Sequence, residues 1–525
     1  DLVIVLAIVT SFVMLYVRVM SHDESLHTFY SWELYQGKGF VHTPLMHGTF
    51  QFHALALTYA LFGASDFTAR IPVALFGVAA VALIWGFRKW LGKTGALLGA
   101  LFMLISPYML FYSRYVRNES YVVVWGLLMA LALFNYMERR EAKWLYTMVA
   151  ATSLMYTTKE VSYIYVAIWM LFLGFIFLYE MFKANWDNSQ YRQIFIASIG
   201  LAVVAGAAAG VLFAVSQGAG DLLSTTATAV PSDPNAPITA ASEPVNPIKQ
   251  GAAIAFVSML GLFLLGGLMC LLQFRERLRD YAVDDLLIVL GTFVLPQLAA
   301  FPVRFLLKAD PLDYSQAGIL KTATVFVPLF LLSVGAGVLW DWKKWLICAG
   351  IFYGIFVPLF TTMFTNGNGF WSGIVGSLGY WLDQQPVQRG SQPWYFYLLV
   401  QTPIYEFLPA IGALIAAGLG LARLSRTKDV GETLNVDSPT GGHKFPALLF
   451  TGFWAVMAMI GYSAAGEKMP WLEVHVTFPM ILLAGWAFGQ ILDAVDWAAF
   501  REQLGWVAAL VVPLGGLGTY PTMIY

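Results

Sequence analysis

Long apolar segments recur along the whole chain and constrain its fold more than any other feature. Each approaches the roughly 20 residues that a helix needs to cross a hydrocarbon core of about 30 Å. Of the 525 residues, 59% are hydrophobic and 12% are charged, whereas a soluble domain typically carries about 25% charged residues. The sequence therefore predicts an all-α polytopic integral membrane protein, with one transmembrane domain over residues 1–525.

The apolar segments predict 13 to 15 transmembrane helices, because closely spaced pairs could be re-entrant. The first segment is too long for a signal-peptide core and lacks a small-residue cleavage pattern, so we expect a retained spanning helix. Both cysteines lie in apolar segments, which indicates small core residues. The predicted spans are 2–20, 66–88, 94–112, 119–137, 143–158, 161–182, 193–216, 249–272, 283–303, 319–340, 343–364, 396–421, 444–463, 471–491 and 502–522.

The distribution of basic residues in short loops predicts the orientation. One alternating set of loops, which includes the segment 424–443, holds 18 of the 30 Lys and Arg and should be cytoplasmic. The opposite set contains the first outer loop, 21–65, and a proline-rich outer loop at 217–248 that we expect to be flexible. The aromatics and amides of a third outer segment, 365–395, suit either an ordered cap over a site or an interfacial aromatic belt.

The first outer loop opens with the sequence His-Asp-Glu-Ser-Leu-His, residues 22–27. Partial desolvation at the mouth of a membrane helix would make Asp23 or Glu24 a better base. Alternatively, Asp23 or Ser25 caps an interfacial helix that runs from Leu26 to Gln36. The two interpretations are compatible, because a capped helix end holds its carboxylates rigidly.

Five of the seven histidines lie in the same loop. Together with a carboxylate they could hold a divalent metal ion, for which His22, His27 and Asp23 are the candidates. The spacing does not match His-Glu-x-x-His, and no second His/Cys pair completes a known pattern. Isolated interfacial histidines are therefore the favoured interpretation, and we predict that no cofactor is required.

Further charged residues lie at the other outer helix ends. Arg114 and Arg117 precede Glu119, and arginine suits bidentate binding of phosphate. Lys159 and Glu160 form a tight hairpin between two apolar helices. The alternative is that these cations are lipid-headgroup anchors that snorkel.

A late motif, Gly-Glu-Lys-Met-Pro-Trp-Leu-Glu-Val-His, covers residues 466–475. Pro470 at the first helical position is a start signal, and the helix N-terminus beside Lys468 would attract an anion. A carboxylate base with several cations at the outer membrane boundary suits an amphipathic substrate with a phosphate leaving group. The carboxylate would deprotonate an acceptor hydroxyl.

These motifs resemble those of the GT-C superfamily of membrane glycosyltransferases. The resemblance rests on Asp23-Glu24, Arg70-x-Pro72, the segment 106–119 and the Lys-x-Pro-Trp of residues 468–471. The chain is most similar to the flippase-activity-associated group, which is related to protein mannosyltransferases and aminoarabinose transferases.

The resemblance implies transfer from a polyprenyl-phosphate-linked sugar to a glycan, lipid or protein acceptor, outside the cytoplasm. It also implies a plasma membrane, bacterial or archaeal, with membrane lipids around the chain. The catalytic positions that it implies are Asp23, Glu24 and Glu119. From the resemblance and the charged and aromatic outer segments together, the candidate substrate contacts are Arg70, Arg114, Arg117, Lys159, Arg304, Arg389, Trp394, Lys468 and His475.

Two other classes of function stay open on the sequence. The chain could be a transporter or flippase-associated accessory protein, but its charges lie at outer helix ends and no inverted repeat is visible. It could also be a non-catalytic subunit with partners in a membrane complex. The net charge of −1 gives no indication of nucleic-acid binding.

Overall fold

The computed structural model describes residues 1–224, 247–274, 281–384, 392–424 and 445–502. Within these ranges the regular structure is helical and no β-strand is present, which confirms the predicted fold class. The longer helices are Leu2–Phe12, His22–Tyr35, Phe50–Phe62, Asp66–Ile84, Lys93–Ile105, Glu119–Arg139, Ala142–Tyr156, Ser162–Lys183, Ser189–Ser224, Pro247–Phe274, Ala282–Val294, Gln316–Phe360, Phe407–Leu424, Ala447–Ala464 and Glu473–Ala494. The shorter ones are Pro44–Met46, Trp85–Phe87, Arg88–Leu91, Pro107–Tyr112, Gln297–Ala299, Ala300–Phe305, Asn368–Trp371, Ser372–Gly376, Ser377–Gln384, Phe396–Gln401, Thr402–Tyr405, Pro470–Leu472 and Trp497–Glu502.

In the described part of the chain, seven helices are long and apolar enough to cross a membrane. The number is nine if each of two bent helix pairs is one span. This is lower than the predicted 13 to 15, partly because several predicted spans are shorter apolar helices, such as Lys93–Ile105. The predicted spans 319–340 and 343–364 correspond to the two helical parts of Gln316–Phe360, which meet at a kink at Asp341, and 502–522 lies almost wholly outside the described residues.

The first helix ends at Phe12, earlier than the predicted span 2–20. At its last turn and beyond it, arginines from distant segments satisfy the carbonyls that a continuing helix would have used. Arg114 donates to two of these carbonyls and Arg70 to two more. The acceptors are Thr10, Val13, Leu15 and Arg18.

The next helix, His22–Tyr35, begins with a capping box. The Ser21 hydroxyl accepts from the Glu24 N–H at 3.4 Å, and the Glu24 carboxylate accepts from the Ser21 N–H at 3.1 Å. The prediction that Asp23 or Ser25 caps this helix is wrong. A capping box needs a hydroxyl three residues before a Glu, and Ser21 occupies that place.

Two glycine pairs let the helices Lys93–Ile105 and Glu473–Ala494 approach closely. Gly95 and Gly99 face Gly485 and Gly489, and each pair has the spacing of a small-xxx-small motif. A Cβ added at Gly485 would lie 2.6 Å from the carbonyl oxygen of Gly95. The two helices can therefore cross this closely only because glycine has no side chain at these positions.

We expect Gly485→Ala to destabilise the protein by about 1–3 kcal/mol, because the added methyl forces two backbones apart. Gly461→Ala is the matched control, since its Cβ would make an ordinary 3.6 Å contact. There the usual helix preference for Ala should be neutral or stabilising. Thermal unfolding in detergent compares the two, and equal transition temperatures would contradict the close crossing.

The chain divides into two compact units, Asp1–Leu173 with Asp285–Tyr525, and Gly174–Asp284. In the second unit the helix Ser189–Ser224 extends into the predicted loop 217–248, and residues 225–246 lie outside the described ranges. The predicted loop 424–443 lies outside them beyond Leu424. All the predicted site residues that the structure describes belong to the first unit, and both cysteines are buried, as expected.

Candidate active site

A cavity of about 320 Å³ lies in the first unit, among loops and helix ends that the sequence predicts to be outer. Its wall combines charged, aromatic and apolar side chains from five separate segments of the sequence. The lining residues are Asp23, Leu26, His27, Leu45, Met46, His47, Arg117, Tyr380, Trp381, Gln384, Glu467, Met469 and Trp471.

Asp23 brings a carboxylate to this cavity from the first turn of its helix. Its side chain is 34% exposed and forms an ion pair with Arg117, which is itself buried. The Arg117 guanidinium carbon lies 3.5 Å from the centre of the Trp471 ring, a cation–π contact that fixes the arginine. Asp23 is therefore held in one orientation at the cavity wall.

A chain of alternating charges continues from Arg117 into the protein. The Arg117 Nε lies 3.4 Å from a carboxylate oxygen of Glu119, and Glu119 also pairs with Lys159. Glu119 and Lys159 are almost fully buried. Since a buried charge is tolerated when it is paired, the three residues behind Asp23 stabilise one another.

Glu24 lies next to Asp23 in sequence but outside the cavity lining. Its buried carboxylate contacts Arg18 at 2.7 Å and Arg70 at 3.1 Å, and it accepts the Val116 N–H at 3.1 Å. Burial alone would raise the pKa of Glu24, but these donors outweigh it and hold the pKa below the ordinary value. Glu24 thus joins the start of its helix to three neighbouring segments.

The histidines do not assemble a metal site. Among the described residues, no group of three or more His, Cys, Asp or Glu could hold a metal ion. His22 is exposed, and the His27 Nδ1 bonds the Asp23 carbonyl at 2.8 Å. Burial and the nearby Arg117 lower the pKa of His27 to about 4. The proposed set of His22, His27 and Asp23 is therefore not brought together as ligands.

Of the predicted substrate contacts that the structure describes, seven lie outside the cavity lining, and four of these are Arg70, Arg114, Arg304 and Trp394. Arg304 pairs with Asp383 at 2.5 Å, and Trp394 is 67% exposed. Arg70 and Arg114 bind the backbone carbonyls after the first helix. Arg389 lies outside the described residues.

The late motif begins a helix at Pro470, as predicted. The Lys468 Nζ donates to the Ala465 carbonyl at 2.8 Å, and burial lowers its pKa. Lys468 itself is not in the cavity lining, although its neighbours Glu467 and Met469 are. His475 is buried, where Tyr165 contacts its Nδ1 at 3.1 Å.

Several residues of this region were not predicted as site residues. His47, Trp381 and Trp471 line the cavity, and Glu160 binds His47. Their signals in the sequence were the histidine-rich loop, the Lys-Glu hairpin and the aromatic cap segment. No local pattern indicates that these segments meet.

A second polar cluster surrounds two buried glutamates. The Glu406 carboxylate accepts from the Ser106 hydroxyl at 2.7 Å and from the Tyr108 N–H at 3.0 Å. The Glu473 carboxylate accepts from the Thr402 hydroxyl at 2.5 Å. The Glu406 contacts join the residue before the helix Phe407–Leu424 to the start of the helix Pro107–Tyr112. The Thr402 contact joins the same region to the start of the helix Glu473–Ala494.

Comparison with known proteins adds a family relationship. Residues 46–209 match the family described as dolichyl-phosphate-mannose-protein mannosyltransferase. The matched segment, 164 of the 525 residues, is similar to these mannosyltransferases. This confirms the resemblance that the sequence motifs indicated. No curated protein matches the chain.

Several solved structures match most of the chain at low identity. ArnT from Cupriavidus metallidurans bound to undecaprenyl phosphate is 15% identical, with a TM-score of 0.44, over 99% of this chain and 64% of ArnT. The apo oligosaccharyltransferase of Archaeoglobus fulgidus is 13% identical, with a TM-score of 0.49, over 99% of this chain and 55% of its own. AglB from the same organism, in complex with an inhibitory peptide and a dolichol-phosphate, is 12% identical, with a TM-score of 0.46 and 99% and 54% coverage. The chain thus spans between half and two thirds of the length of these proteins.

Proposed function

We propose that the chain transfers a sugar from a polyprenyl-phosphate donor to an acceptor hydroxyl in the cavity that Asp23 lines. One observation carries the proposal: Asp23 reaches the cavity while Arg117, stacked on Trp471, holds its carboxylate. A positioned carboxylate within reach of a bound hydroxyl can act as a general base. The match to a family named for dolichyl-phosphate-mannose supports a lipid-phosphate donor.

In this proposal Asp23 accepts the proton of the acceptor hydroxyl as its oxygen attacks the anomeric carbon. The bond from that carbon to the phosphate breaks, and the lipid phosphate leaves. Glu24, Glu119 and Lys159 are positioning residues, because each is enclosed and already paired. The distribution of basic residues favours a cavity that faces away from the cytoplasm.

We assign the donor phosphate to Lys468. Its Nζ bonds one carbonyl, whereas an ammonium group has three donors. It also lies between two residues that line the cavity. A phosphate at the cavity edge would let the lipid tail stay in the bilayer while the sugar enters beside Asp23.

We expect Lys468→Ala to raise the KM for the donor by about 10- to 100-fold, because a hydrogen bond to a charged group contributes about 1.5–3 kcal/mol. The kcat should change little, since the base is untouched. The assay is sugar transfer from a short-chain polyprenyl-phosphate sugar by purified protein in lipid nanodiscs. Lys38→Ala, which removes an exposed lysine paired with Glu33, is the control. An unchanged donor KM in Lys468→Ala would exclude this phosphate contact.

A further inference from the structure

We propose that His47, held by Glu160, is a second proton-transfer residue of the cavity and protonates the phosphate leaving group. The inference rests on the proposed function and assigns a residue to the departing side of the same reaction. Asp23 would act on the acceptor side.

The two ring nitrogens of His47 have different surroundings. Nδ1 lies 2.7 Å from a carboxylate oxygen of Glu160, whose side chain is 2% exposed. Nε2 has no hydrogen-bond partner in the part of the chain that the structure describes, and His47 lines the cavity. A buried carboxylate that fixes one nitrogen and leaves the other for a ligand is the arrangement of an oriented acid–base histidine.

The backbone of His47 is strained, and hydrogen bonds of the neighbouring residues stabilise the strained conformation. Its φ of 65° and ψ of −165° form a conformation that side chains rarely adopt, at a cost of about 1–3 kcal/mol. The N–H of Gly48 donates to the Thr158 carbonyl at 3.1 Å, and the N–H of Phe50 donates to the Thr157 carbonyl at 2.8 Å. These bonds tie the loop to the turn that carries Glu160.

At Gly48 the loop that carries His47 packs closely against the turn that carries Glu160. A Cβ at this position would overlap the Thr157 carbonyl. The His42 ring donates from Nε2 to the His47 carbonyl at 3.0 Å. The strained conformation is thus maintained by several contacts, and it is the conformation that presents His47 to Glu160.

The other titratable groups around His47 are less suited to protonate the leaving phosphate. Burial lowers the pKa of both His27 and His42 to about 4, so both stay neutral near pH 7. The charge of Arg117 is already shared between Asp23 and Glu119. Glu467 is the other carboxylate in the lining. In the histidine cluster around the cavity, His47 is the ring that has a buried carboxylate partner.

The proposed step balances in atoms and charge. The bond between the anomeric carbon and the phosphate oxygen breaks, and its electron pair stays on the phosphate. The acceptor oxygen bonds to the anomeric carbon and gives its proton to Asp23. The imidazolium Nε2–H of His47 gives its proton to a phosphate oxygen, and the lipid hydrogen phosphate leaves. A proton then returns from Asp23 to His47 through water, while Glu160 stabilises the imidazolium.

The test compares His47→Asn and Glu160→Gln with the control His53→Asn in the following helix, Phe50–Phe62. Asn tolerates a positive φ better than most residues. We expect His47→Asn to lower kcat by about 10²- to 10⁴-fold with the donor KM nearly unchanged, and to remove the alkaline limb of the pH–rate profile. Glu160→Gln should lower kcat less than His47→Asn does. It should also move the alkaline limb of the pH–rate profile to lower pH. His53, which bonds the Thr49 carbonyl and is not in the lining, should have no effect.

Three outcomes would overturn the inference. If His47→Asn keeps its kcat and its alkaline limb, transfer stands but His47 gives no proton. If kcat falls while the pH profile keeps its shape, the role of His47 is structural. If His47→Asn fails to fold, an unshifted alkaline limb in Glu160→Gln overturns it. Wild-type protein that transfers from no donor would instead refute the proposed function on which the inference rests.

Discussion

Asn in place of Asp23 is expected to reduce sugar transfer by about 10²- to 10⁴-fold while the donor KM stays nearly constant. The Asn side chain keeps an oxygen that can face Arg117 but cannot accept the proton of the acceptor hydroxyl. The arginine also retains its contacts with Glu119 and Trp471. Steady-state kinetics of the purified protein in lipid measure kcat and KM separately.

Two further variants decide whether Asp23 is the base. Asp66→Asn makes the same change at an exposed position, the start of the helix Asp66–Ile84, and should leave transfer unchanged. Glu467→Gln removes the other carboxylate of the lining, and we expect it to retain most of the activity. Loss of transfer in Glu467→Gln with transfer preserved in Asp23→Asn would assign the base to Glu467.

Glu24→Gln is expected to destabilise the protein by about 3–5 kcal/mol, the usual cost of breaking a buried ion pair. Glu24 is completely buried and Arg70 is 1% exposed, so the arginine would keep an uncompensated charge away from water. A Gln can also accept the Ser21 N–H of the capping box, so the expected loss comes from the ion pairs. Thermal and denaturant unfolding in a fixed detergent measure the effect.

Glu33→Gln is the control for Glu24→Gln, because Glu33 pairs with Lys38 at the surface. An exposed pair contributes about 0–1 kcal/mol. The pKa of Glu24 is depressed on folding, so its contribution is present above the ordinary carboxyl pKa and is lost as the pH falls through the lowered value. Glu24→Gln should therefore flatten the acid side of the stability profile. Equal stability of the two variants would contradict the role of Glu24.

The sequence predicts well what depends on local signals. Continuous apolar segments predict the all-helical membrane fold, and Pro470 and Glu119 mark helix starts that the structure contains. The two adjacent carboxylates after the first apolar segment indicate a polar site. These features are readable because hydrophobicity, proline and charge at a helix end act within a few residues.

The division of roles between Asp23 and Glu24 is not readable in the same way. Consecutive residues of a helix point about 100° apart, so one reaches the cavity and the other meets Arg18 and Arg70. Which is which depends on how the helix packs. The same holds for the pairing of His47 with Glu160, which lie 113 residues apart in the sequence.

The most direct test of the proposed transfer is the release of polyprenyl phosphate by the wild-type protein in liposomes. The protein would receive a panel of radiolabelled polyprenyl-phosphate sugars together with hydroxyl acceptors. We expect at least one donor to release its lipid phosphate as the label moves to the acceptor, and Asp23→Asn to abolish this release. A folded wild-type protein that binds or cleaves none of the donors would contradict the proposed activity and favour an accessory membrane subunit.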